Sequence, residues 1–151
     1  MLKFSHVQTV FYEIPDETSL AFVMTLCPNH CVGCHSPEQR RDEGTEITKE
    51  ELNRQFSKYG KYVTTFLFMG GDNDVYSMCD VLDYCKNTLH VKTAVYSGLQ
   101  NNPILWKDTN LDYLKLGPYI SSFGPLTNKN TNQKLYRREN SSWSDITWRF
   151  W

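Results

Sequence analysis

Four runs of apolar residues recur along the chain, and each one ends close to a glycine, a proline or a cysteine. The first run is almost uninterrupted, which is typical of a strand that is buried on both faces. The second run is rich in β-branched and aromatic residues, as strands usually are. This pattern predicts strands at residues 19–26, 63–69, 91–96 and 111–116.

Two of the segments between these runs carry apolar residues at helical spacing. Thr48 and Glu51 resemble a capping box, with Thr48 as the N-cap, and the helical spacing continues from there to Gly60. A second helix is predicted at residues 75–89, where the apolar side chains collect on one stripe of the helix surface. The members of that stripe are Val75, Met78, Cys79, Leu82 and Cys85.

The alternation of strands and helices implies parallel strands joined by right-handed crossovers. A complete eight-stranded barrel needs about 250 residues, whereas this chain has 151. We therefore expect one α/β domain over residues 1–151, an incomplete TIM-like barrel with a mostly parallel, curved sheet. Ligands of such folds bind at the carboxyl ends of the strands, which is where the unusual residues of this chain fall.

Composition narrows the class of protein. Apolar residues make up 40 % of the chain and charged residues 22 %, with a mean hydropathy of -0.53, which is typical of a soluble globular protein. The 16 basic residues are balanced by 17 acidic ones, so we expect neither nucleic acid nor a membrane as partner. Lys3, His6 and Gln8 interrupt the N-terminal segment, so no signal peptide is predicted and a cytoplasmic location is expected.

Three cysteines fall within eight residues, directly after the first predicted strand, as Cys27, Cys31 and Cys34. Thiolates are soft ligands that suit iron–sulfur clusters and zinc. Three of them on one loop can hold three corners of a four-iron cluster and leave the fourth iron open to a small molecule. A structural zinc site completed by His30 or His35 remains the alternative. The other two cysteines, at positions 79 and 85, are interpreted as small buried residues of the second helix.

The sequence C-P-N-H-C-V-G-C-H resembles the cluster loop of the radical S-adenosylmethionine enzymes. Further segments narrow the resemblance to the activating proteins of anaerobic (class III) ribonucleoside-triphosphate reductases. These segments are Gly70-Gly71-Asp72, Tyr96-Ser97-Gly98, the stretch 113–119 that contains G-P-Y, and the stretch 124–136 that ends in T-N-Q-K-L-Y. Many relatives have G-G-E where this chain has G-G-D, which keeps the carboxylate but shortens it by one methylene.

This resemblance implies a [4Fe-4S] cluster on Cys27, Cys31 and Cys34, with S-adenosylmethionine bound at the free iron. It further implies reductive cleavage of that cofactor to a 5′-deoxyadenosyl radical, with a reduced flavodoxin or a ferredoxin-type protein as electron donor. The radical would take hydrogen from a glycine of the catalytic subunit of the reductase and leave a glycyl radical for deoxyribonucleotide synthesis. We also expect a polypeptide substrate because so short a chain cannot enclose a diffusible one.

The resemblance also implies a set of cofactor contacts. Gly33 and His35 flank the last cysteine, where similar proteins pass the loop against the adenine. The two glycines of the G-G-D segment allow the backbone to approach the methionine moiety, and its aspartate adds a charge-assisted contact. A strand-end serine and a lysine are expected at the ribose or carboxylate. The implied contacts after the first strand are therefore Gly33, His35, Gly70, Gly71, Asp72, Ser97 and Lys115.

Two other functions remain open at this stage. The chain could activate a different glycyl radical enzyme, such as one of the formate-lyase type, although those activases are usually longer. It could instead be a non-enzymatic module with a Cys3His zinc site. Two C-terminal groups each have two interpretations. The basic residues Lys134, Arg137 and Arg138 are interpreted as a solvated face, with contact to an acidic patch on a partner as the alternative. The aromatic residues Trp143, Trp148, Phe150 and Trp151 either complete the core or bind a partner.

Overall fold

The computed structural model describes residues 1–34 and 36–151, and within them the chain forms eight strands and three α-helices. Two short 3-10 helices lie at Pro37–Arg40 and Thr147–Phe150. The α-helices are α1 (Lys49–Tyr59), α2 (Val75–Asn87) and α3 (Pro103–Lys107). The strands are β1 (Lys3–Val10), β2 (Ser19–Met24), β3 (Thr45–Glu46), β4 (Thr65–Met69), β5 (Lys92–Tyr96), β6 (Tyr113–Leu116), β7 (Lys134–Glu139) and β8 (Ser142–Asp145).

All eight strands belong to one sheet, in the order β3-β1-β2-β4-β5-β6-β7-β8. The four strands predicted from the apolar runs are its centre, β2-β4-β5-β6, and they pair in parallel. The outer strands pair antiparallel, so four of the seven pairings are antiparallel. The expected incomplete TIM-like barrel with a mostly parallel curved sheet is therefore wrong: the sheet is mixed and is not closed into a barrel.

Short connections explain two of the four antiparallel pairings, β1–β2 and β7–β8. Residues 11–18 join β1 to β2, and residues 140–141 join β7 to β8, with Asn140 at a φ of +59°. Strands joined by a connection this short pair antiparallel, because a parallel pair needs a crossover connection of a dozen or more residues. The sequence pattern missed these strands because β1 is exposed at half of its positions and so carries no apolar run.

One face of the central strands packs against the three helices. Phe22 of β2 lies between Phe66 and Phe68 of β4, with ring centroids 5.2 and 4.9 Å away. From the helices, the buried residues Leu52, Met78, Leu82, Cys85 and Leu105 complete this core. Both predicted helices are confirmed. The N-cap half of the predicted capping box also forms, because the Thr48 hydroxyl accepts the amide of Glu51 at 3.1 Å.

The opposite face of the same strands carries smaller side chains. Ala21 of β2 and Ala94 of β5 are fully buried there, beside Leu67 of β4 and Tyr113 of β6. Residues that precede β2 or follow β6 in the chain cover these positions. They are Ile14, Leu126, Leu135 and Ile146. The cavity described below lies on this face, beyond these buried positions, at the carboxyl ends of the strands.

A buried carboxylate fixes the amino-terminal ends of the central strands. Glu17, from the β1–β2 connection, accepts hydrogen bonds from the hydroxyls of Tyr113 and Thr64, both at 2.7 Å, and from the Lys92 ammonium at 2.9 Å. Burial alone raises the pKa of Glu17, but these partners together outweigh it, so that the pKa lies below its usual value. This end of the sheet is thus closed by a paired charge.

The C-terminal hairpin is anchored to α3 and to the residues that follow it by Arg138 and Trp143, one from the basic group and one from the aromatic group. Arg138 donates to the carbonyls of Leu111 and Asp108, at 2.9 and 2.6 Å, and its guanidinium lies 4.2 Å from the Trp143 ring centroid. The Trp143 indole in turn donates to the Trp106 carbonyl at 2.8 Å. Arg138 and Trp143 are therefore structural. Within residues 1–34 and 36–151, none of the helices has the length and apolar character needed to cross a membrane.

Candidate functional site

The carboxyl ends of the parallel strands place three side chains in one row. Met69 of β4 pairs with Tyr96 of β5, and Tyr96 pairs with Lys115 of β6. Because side chains alternate between the two faces of a strand, paired residues share a face. The Lys115 ammonium accordingly lies 5.4 Å from the Tyr96 ring centroid. This row lies on the face opposite the helices and forms part of the lining of a cavity.

The cavity has a volume of about 470 Å³, within the range of roughly 300–1,000 Å³ that is typical of small-molecule sites. Its lining combines the three clustered cysteines with an apolar wall and a few polar groups, as such sites usually do. The apolar part includes Met69, Tyr96, Leu126 and Phe150, and the polar part includes Asn29, Asp72, Lys115 and Gln133.

The loop that carries the cysteines starts after β2 and is closed by the 3-10 helix Pro37–Arg40. At its start the backbone amides of Leu26 and Cys27 donate to the carbonyls of Arg41 and Gln39, at 3.2 and 3.0 Å. Leu26 adopts a φ of +60°, a conformation uncommon for a branched side chain, and the chain turns out of the sheet there. The loop therefore has a defined shape that the chain itself holds.

The three clustered thiols are free and half-buried, and all of them line the cavity. Burial raises the pKa of the Cys27 thiol, and the neighbouring charges of Asp72 and Cys34 add to that effect, although hydrogen bonding to Asn29 opposes it. The amide of Ser36 donates to the Cys34 sulfur at 3.5 Å. A bound cation would offset the cost of ionising these thiols, because a metal deprotonates its thiol ligands.

The spacing of these donors tests which metal group they fit. Among the described residues, no three His, Cys, Asp or Glu side chains lie close enough together to hold one metal ion. A four-iron cluster binds each thiolate at a different iron. Thiolates are soft ligands, so three free thiols around one cavity are chemically suited to a [4Fe-4S] cluster.

Of the two histidines proposed as alternative zinc ligands, only His30 belongs to the described residues. His30 is exposed and is not among the residues that line the cavity. His35 lies outside the described residues, so its expected contact with the adenine of the cofactor stays a prediction. The expected contact of Gly33 with the cofactor also stays a prediction. Gly33 has a φ of +75°, and a Cβ added there would meet the Tyr119 ring. Gly33 is not among the residues that line the cavity.

Lys115 provides positive charge beside the thiols. Burial lowers its pKa to about 8, while the charges of Asp72 and the three cysteines act in the opposite direction. Because the side chain lines the cavity, its ammonium is placed to attract an anionic group of a ligand. Lys115 thus lies at the cavity, and its contact with the carboxylate of a cofactor stays a prediction.

The two glycines after β4 face different surroundings. Gly70 has a φ of +128° and lines the cavity, and a side chain there would meet the Met24 Cβ at 2.8 Å. Gly71 has a φ of +105° and faces α2, where an added Cβ would lie 2.4 Å from the Met78 methyl group. Both positions require glycine. Gly70 can approach a ligand directly, whereas Gly71 allows α2 to pack against the strand end.

Asp72 and Ser97 contact each other instead of standing separately in the cavity. The Ser97 hydroxyl, which is fully buried, donates to Asp72 Oδ1 at 2.7 Å. Asp72 Oδ2 accepts the side-chain amide of Asn29 at 2.9 Å and the backbone amide of Gly98 at 2.8 Å. Asp72 also lines the cavity, whereas Ser97 is not among the lining residues.

Sequence reasoning did not place several residues at the cavity wall. Asn29 lies between the first two cysteines, and this position inside the ligand loop was the available signal. Gln133 belongs to the T-N-Q segment and donates to the Gly117 carbonyl at 3.4 Å. Leu126 lies in the stretch 124–136 and Phe150 in the C-terminal aromatic group, but neither pattern indicated a position at the cavity.

Comparison with known proteins yields one match. The sequence model of a family described as "4Fe-4S single cluster domain" matches residues 18–141, which contain the cysteine loop and the strands from β2 to β7. No match was found among curated proteins or among solved structures. The matched region covers most of the chain and includes nearly every residue of the cavity wall.

Proposed function

The chain belongs to the 4Fe-4S single cluster domain family, and from that premise we propose that it is a radical S-adenosylmethionine activase. In this proposal a single [4Fe-4S] cluster is held by Cys27, Cys31 and Cys34. S-adenosylmethionine binds beside it, and the protein substrate is the catalytic subunit of an anaerobic ribonucleoside-triphosphate reductase. The product is a glycyl radical on that subunit.

One observation supports this function above others: three free thiols, a cation and an apolar wall line a single cavity at the carboxyl ends of parallel strands. A cluster that only transfers electrons has four thiolate ligands as a rule. Three thiolates leave one iron for a small molecule, and the cavity beside them has the volume to accept one.

When bound, the cluster supplies an electron for reductive cleavage of S-adenosylmethionine to methionine and a 5′-deoxyadenosyl radical, which takes a hydrogen atom from a glycine Cα. The residues of this chain bind and orient. Lys115 attracts the carboxylate of the cofactor, and the backbone at Gly70 approaches its methionine moiety. Met69, Tyr96 and Leu126 exclude water from the cavity.

Exposed apolar residues beside the cavity suit contact with a protein substrate. Tyr12 lines the cavity and is 84 % exposed. Val32, between the second and third cysteines, is 87 % exposed. Large apolar side chains that remain in water next to a site favour a protein partner over a diffusible substrate. The electron donor is proposed to be a reduced flavodoxin or a ferredoxin-type protein, docking where it can reach the cysteine loop.

The test is anaerobic reconstitution of the full chain with iron and sulfide, followed by chemical reduction in the presence of S-adenosylmethionine. We expect about four irons per chain, formation of 5′-deoxyadenosine, and a glycyl radical signal by electron paramagnetic resonance when the reductase subunit is added. The Cys31→Ala variant, prepared in parallel, controls for iron that binds elsewhere.

Each other outcome assigns a different function. A colourless protein with one zinc ion and no cofactor cleavage would overturn the proposal in favour of a zinc module. A glycyl radical on a formate-lyase-type enzyme, but none on the reductase subunit, would keep the chemistry and change the partner. Cleavage of the cofactor without a radical on either protein would overturn the proposed class of substrate.

A further inference from the structure

We propose that Asp72 is a positioning residue that fastens the cysteine loop to the carboxyl end of β5, and that Asn29 is its partner in that loop. The resemblance of the G-G-D segment to known activases implies instead that this carboxylate contacts the cofactor. The inference rests only on the cluster-binding part of the proposed function, because it concerns how the loop that carries the thiols is held.

Both oxygens of the Asp72 carboxylate are engaged by the protein. Oδ1 accepts the hydroxyl of Ser97 at 2.7 Å, and Oδ2 accepts the side-chain amide of Asn29 at 2.9 Å and the amide of Gly98 at 2.8 Å. A carboxylate offers about four acceptor positions, and three of them are filled here. The donors come from two segments, the cysteine loop and the end of β5, so the carboxylate joins them.

The backbone after β5 is shaped around this contact. A Cβ at Gly98 would lie 2.5 Å from the Asn29 amide nitrogen and 3.6 Å from Asp72 Oδ2. A side chain at position 98 would therefore displace the amide of Asn29. The Y-S-G segment thus serves the loop in two ways, because the serine donates to the carboxylate and the glycine leaves space for its partner.

Ser97 connects this contact to further hydrogen bonds in the protein interior. The Ser97 oxygen accepts the amide of Leu99 at 3.2 Å and the side-chain amide of Asn102 at 3.4 Å. Asn102 also caps α3, since its side-chain oxygen accepts the amide of Leu105 at 3.3 Å. Ser97 and Asn102 are 0 % and 3 % exposed. The loop is therefore linked to buried groups whose positions are fixed by packing.

Such partners affect a metal site even though they do not touch the metal. Groups that orient ligands typically change metal affinity by about 10- to 100-fold when they are removed. Asn29 is two residues from Cys27, and the carbonyl of Asn29 is the acceptor 3.8 Å from the Cys27 sulfur. Releasing the Asn29 side chain would free the segment that carries the first ligand. We infer that the contact slows loss of the cluster.

The test compares Asp72→Asn, Asn29→Ala and the double variant, each as the full chain reconstituted anaerobically. The readout is the rate at which iron passes to a chelator, followed by the visible absorbance of the cluster. Each single variant is expected to lose iron about 10-fold faster than the wild type. The double variant is expected to be no faster than the worse single variant, because both remove the same contact. Asp80→Asn, an exposed aspartate on α2, is the matched control.

Binding of S-adenosylmethionine to the cluster-loaded variants separates this role from that of a cofactor ligand. If Asp72→Asn keeps its iron but loses affinity for the cofactor, while Asn29→Ala keeps both, the proposal is overturned. Additive effects of the two substitutions on iron loss would also overturn it. Should Asp72→Asn fail to fold, as judged by circular dichroism, Asn29→Ala alone decides, because normal iron retention in that variant contradicts the proposal.

These readouts do not depend on catalysis. A wild-type protein that holds a cluster but does not cleave S-adenosylmethionine would refute the proposed activity and leave the measured effects on iron loss valid. The failure of one proposal can therefore be told apart from the failure of the other.

Discussion

The two faces of the central strands are built from alternate residues of the same short segments, yet they differ in packing. Toward the helices, Phe22, Phe66 and Phe68 are completely buried against one another. On the other face the same strands contribute Ala21 and Ala94, and the space above the carboxyl ends is a cavity. The first face has the close packing of a protein interior, whereas the second leaves room for a ligand.

This difference implies that the helix-covered face contributes mainly to stability and the cavity mainly to binding. Large apolar side chains contribute most of the free energy of folding through burial. Space that the chain does not fill contributes none of that energy, and sites commonly have a cost in stability. Substitutions on the helix-covered face should therefore change the free energy of unfolding, and substitutions at the cavity should change cluster binding. Four experiments test this division.

The largest effect is expected at the cysteine loop. Replacing Cys27, Cys31 or Cys34 with Ala leaves only two thiolates, which should abolish cluster binding and cofactor cleavage because two thiolates hold a four-iron cluster poorly. The folded structure should persist, since the thiols are half-buried and contribute little to the core. Iron and sulfide content, with circular dichroism, measure the two properties separately.

Cys79→Ala is the control for this prediction. Cys79 lies on α2 and packs at the edge of the helix-covered core, and burial raises its pKa to about 12, so that it is not poised to bind metal. It should keep the full iron content. Full iron in any variant of the clustered cysteines would refute the assignment of that ligand.

The next largest effect is expected for Phe22→Ala on the helix-covered face. Removing a completely buried ring should lower the free energy of unfolding by about 3–5 kcal/mol, a large part of a total of roughly 5–15 kcal/mol. Iron bound per folded chain should not change. Urea denaturation and iron analysis check the two statements. Phe123→Ala is the matched control, because this ring is 45 % exposed.

The fold was predictable where burial is continuous. The four central strands and the first two helices follow from uninterrupted apolar runs and from helical spacing. The fold class was wrong because the outer strands are exposed on one side. In β7, for example, Leu135 is buried whereas Glu139 is exposed, and such a segment has no apolar run. The direction in which such strands pair is not reported by sequence periodicity.

The site was predictable where chemistry is local in sequence. Cys27, Cys31 and Cys34 belong to one loop, and their spacing indicates a metal site, either an iron–sulfur cluster or zinc. The partners of Asp72 lie 43 residues before it at Asn29 and 25 residues after it at Ser97. Contacts over such separations are set by the sheet, so no motif could have paired them. The residues were therefore identified more readily than their roles.

The third experiment tests the amino-terminal end of the cavity-bearing face, which is packed rather than open. Glu17→Gln should lower the free energy of unfolding by about 2 kcal/mol at neutral pH, since it removes charge-assisted hydrogen bonds to Lys92 and Tyr113. Urea denaturation at several pH values measures it. Glu139→Gln, which removes an exposed charge next to Arg137, should leave stability almost unchanged.

The sign of the pH dependence follows from the direction of the shift. The pKa of Glu17 in the folded protein lies below the value of 4.5 expected for an unpaired glutamate. The stabilisation from this carboxylate is therefore complete above that value and is lost as the pH falls through the folded pKa. The wild type should lose stability in this range, and Glu17→Gln should lose less. Equal acid sensitivity of the two proteins would contradict the assignment.

The smallest effect is expected for Thr48→Ala, at the start of α1 on the helix-covered side. The Thr48 hydroxyl accepts the Glu51 amide at 3.1 Å, and loss of such a cap should cost about 1 kcal/mol, or about 2–4 °C in Tm for a chain of this size. Ser57→Ala, at an exposed position in the last turn of the same helix, is the control and should cost almost nothing. Because the buried Leu52 packs α1 into the helix-covered core, iron content and the rate of iron loss should match the wild type. Faster release of iron by Thr48→Ala would show that the two faces of the sheet are coupled. That result would contradict the assignment of stability to one face and of cluster binding to the other.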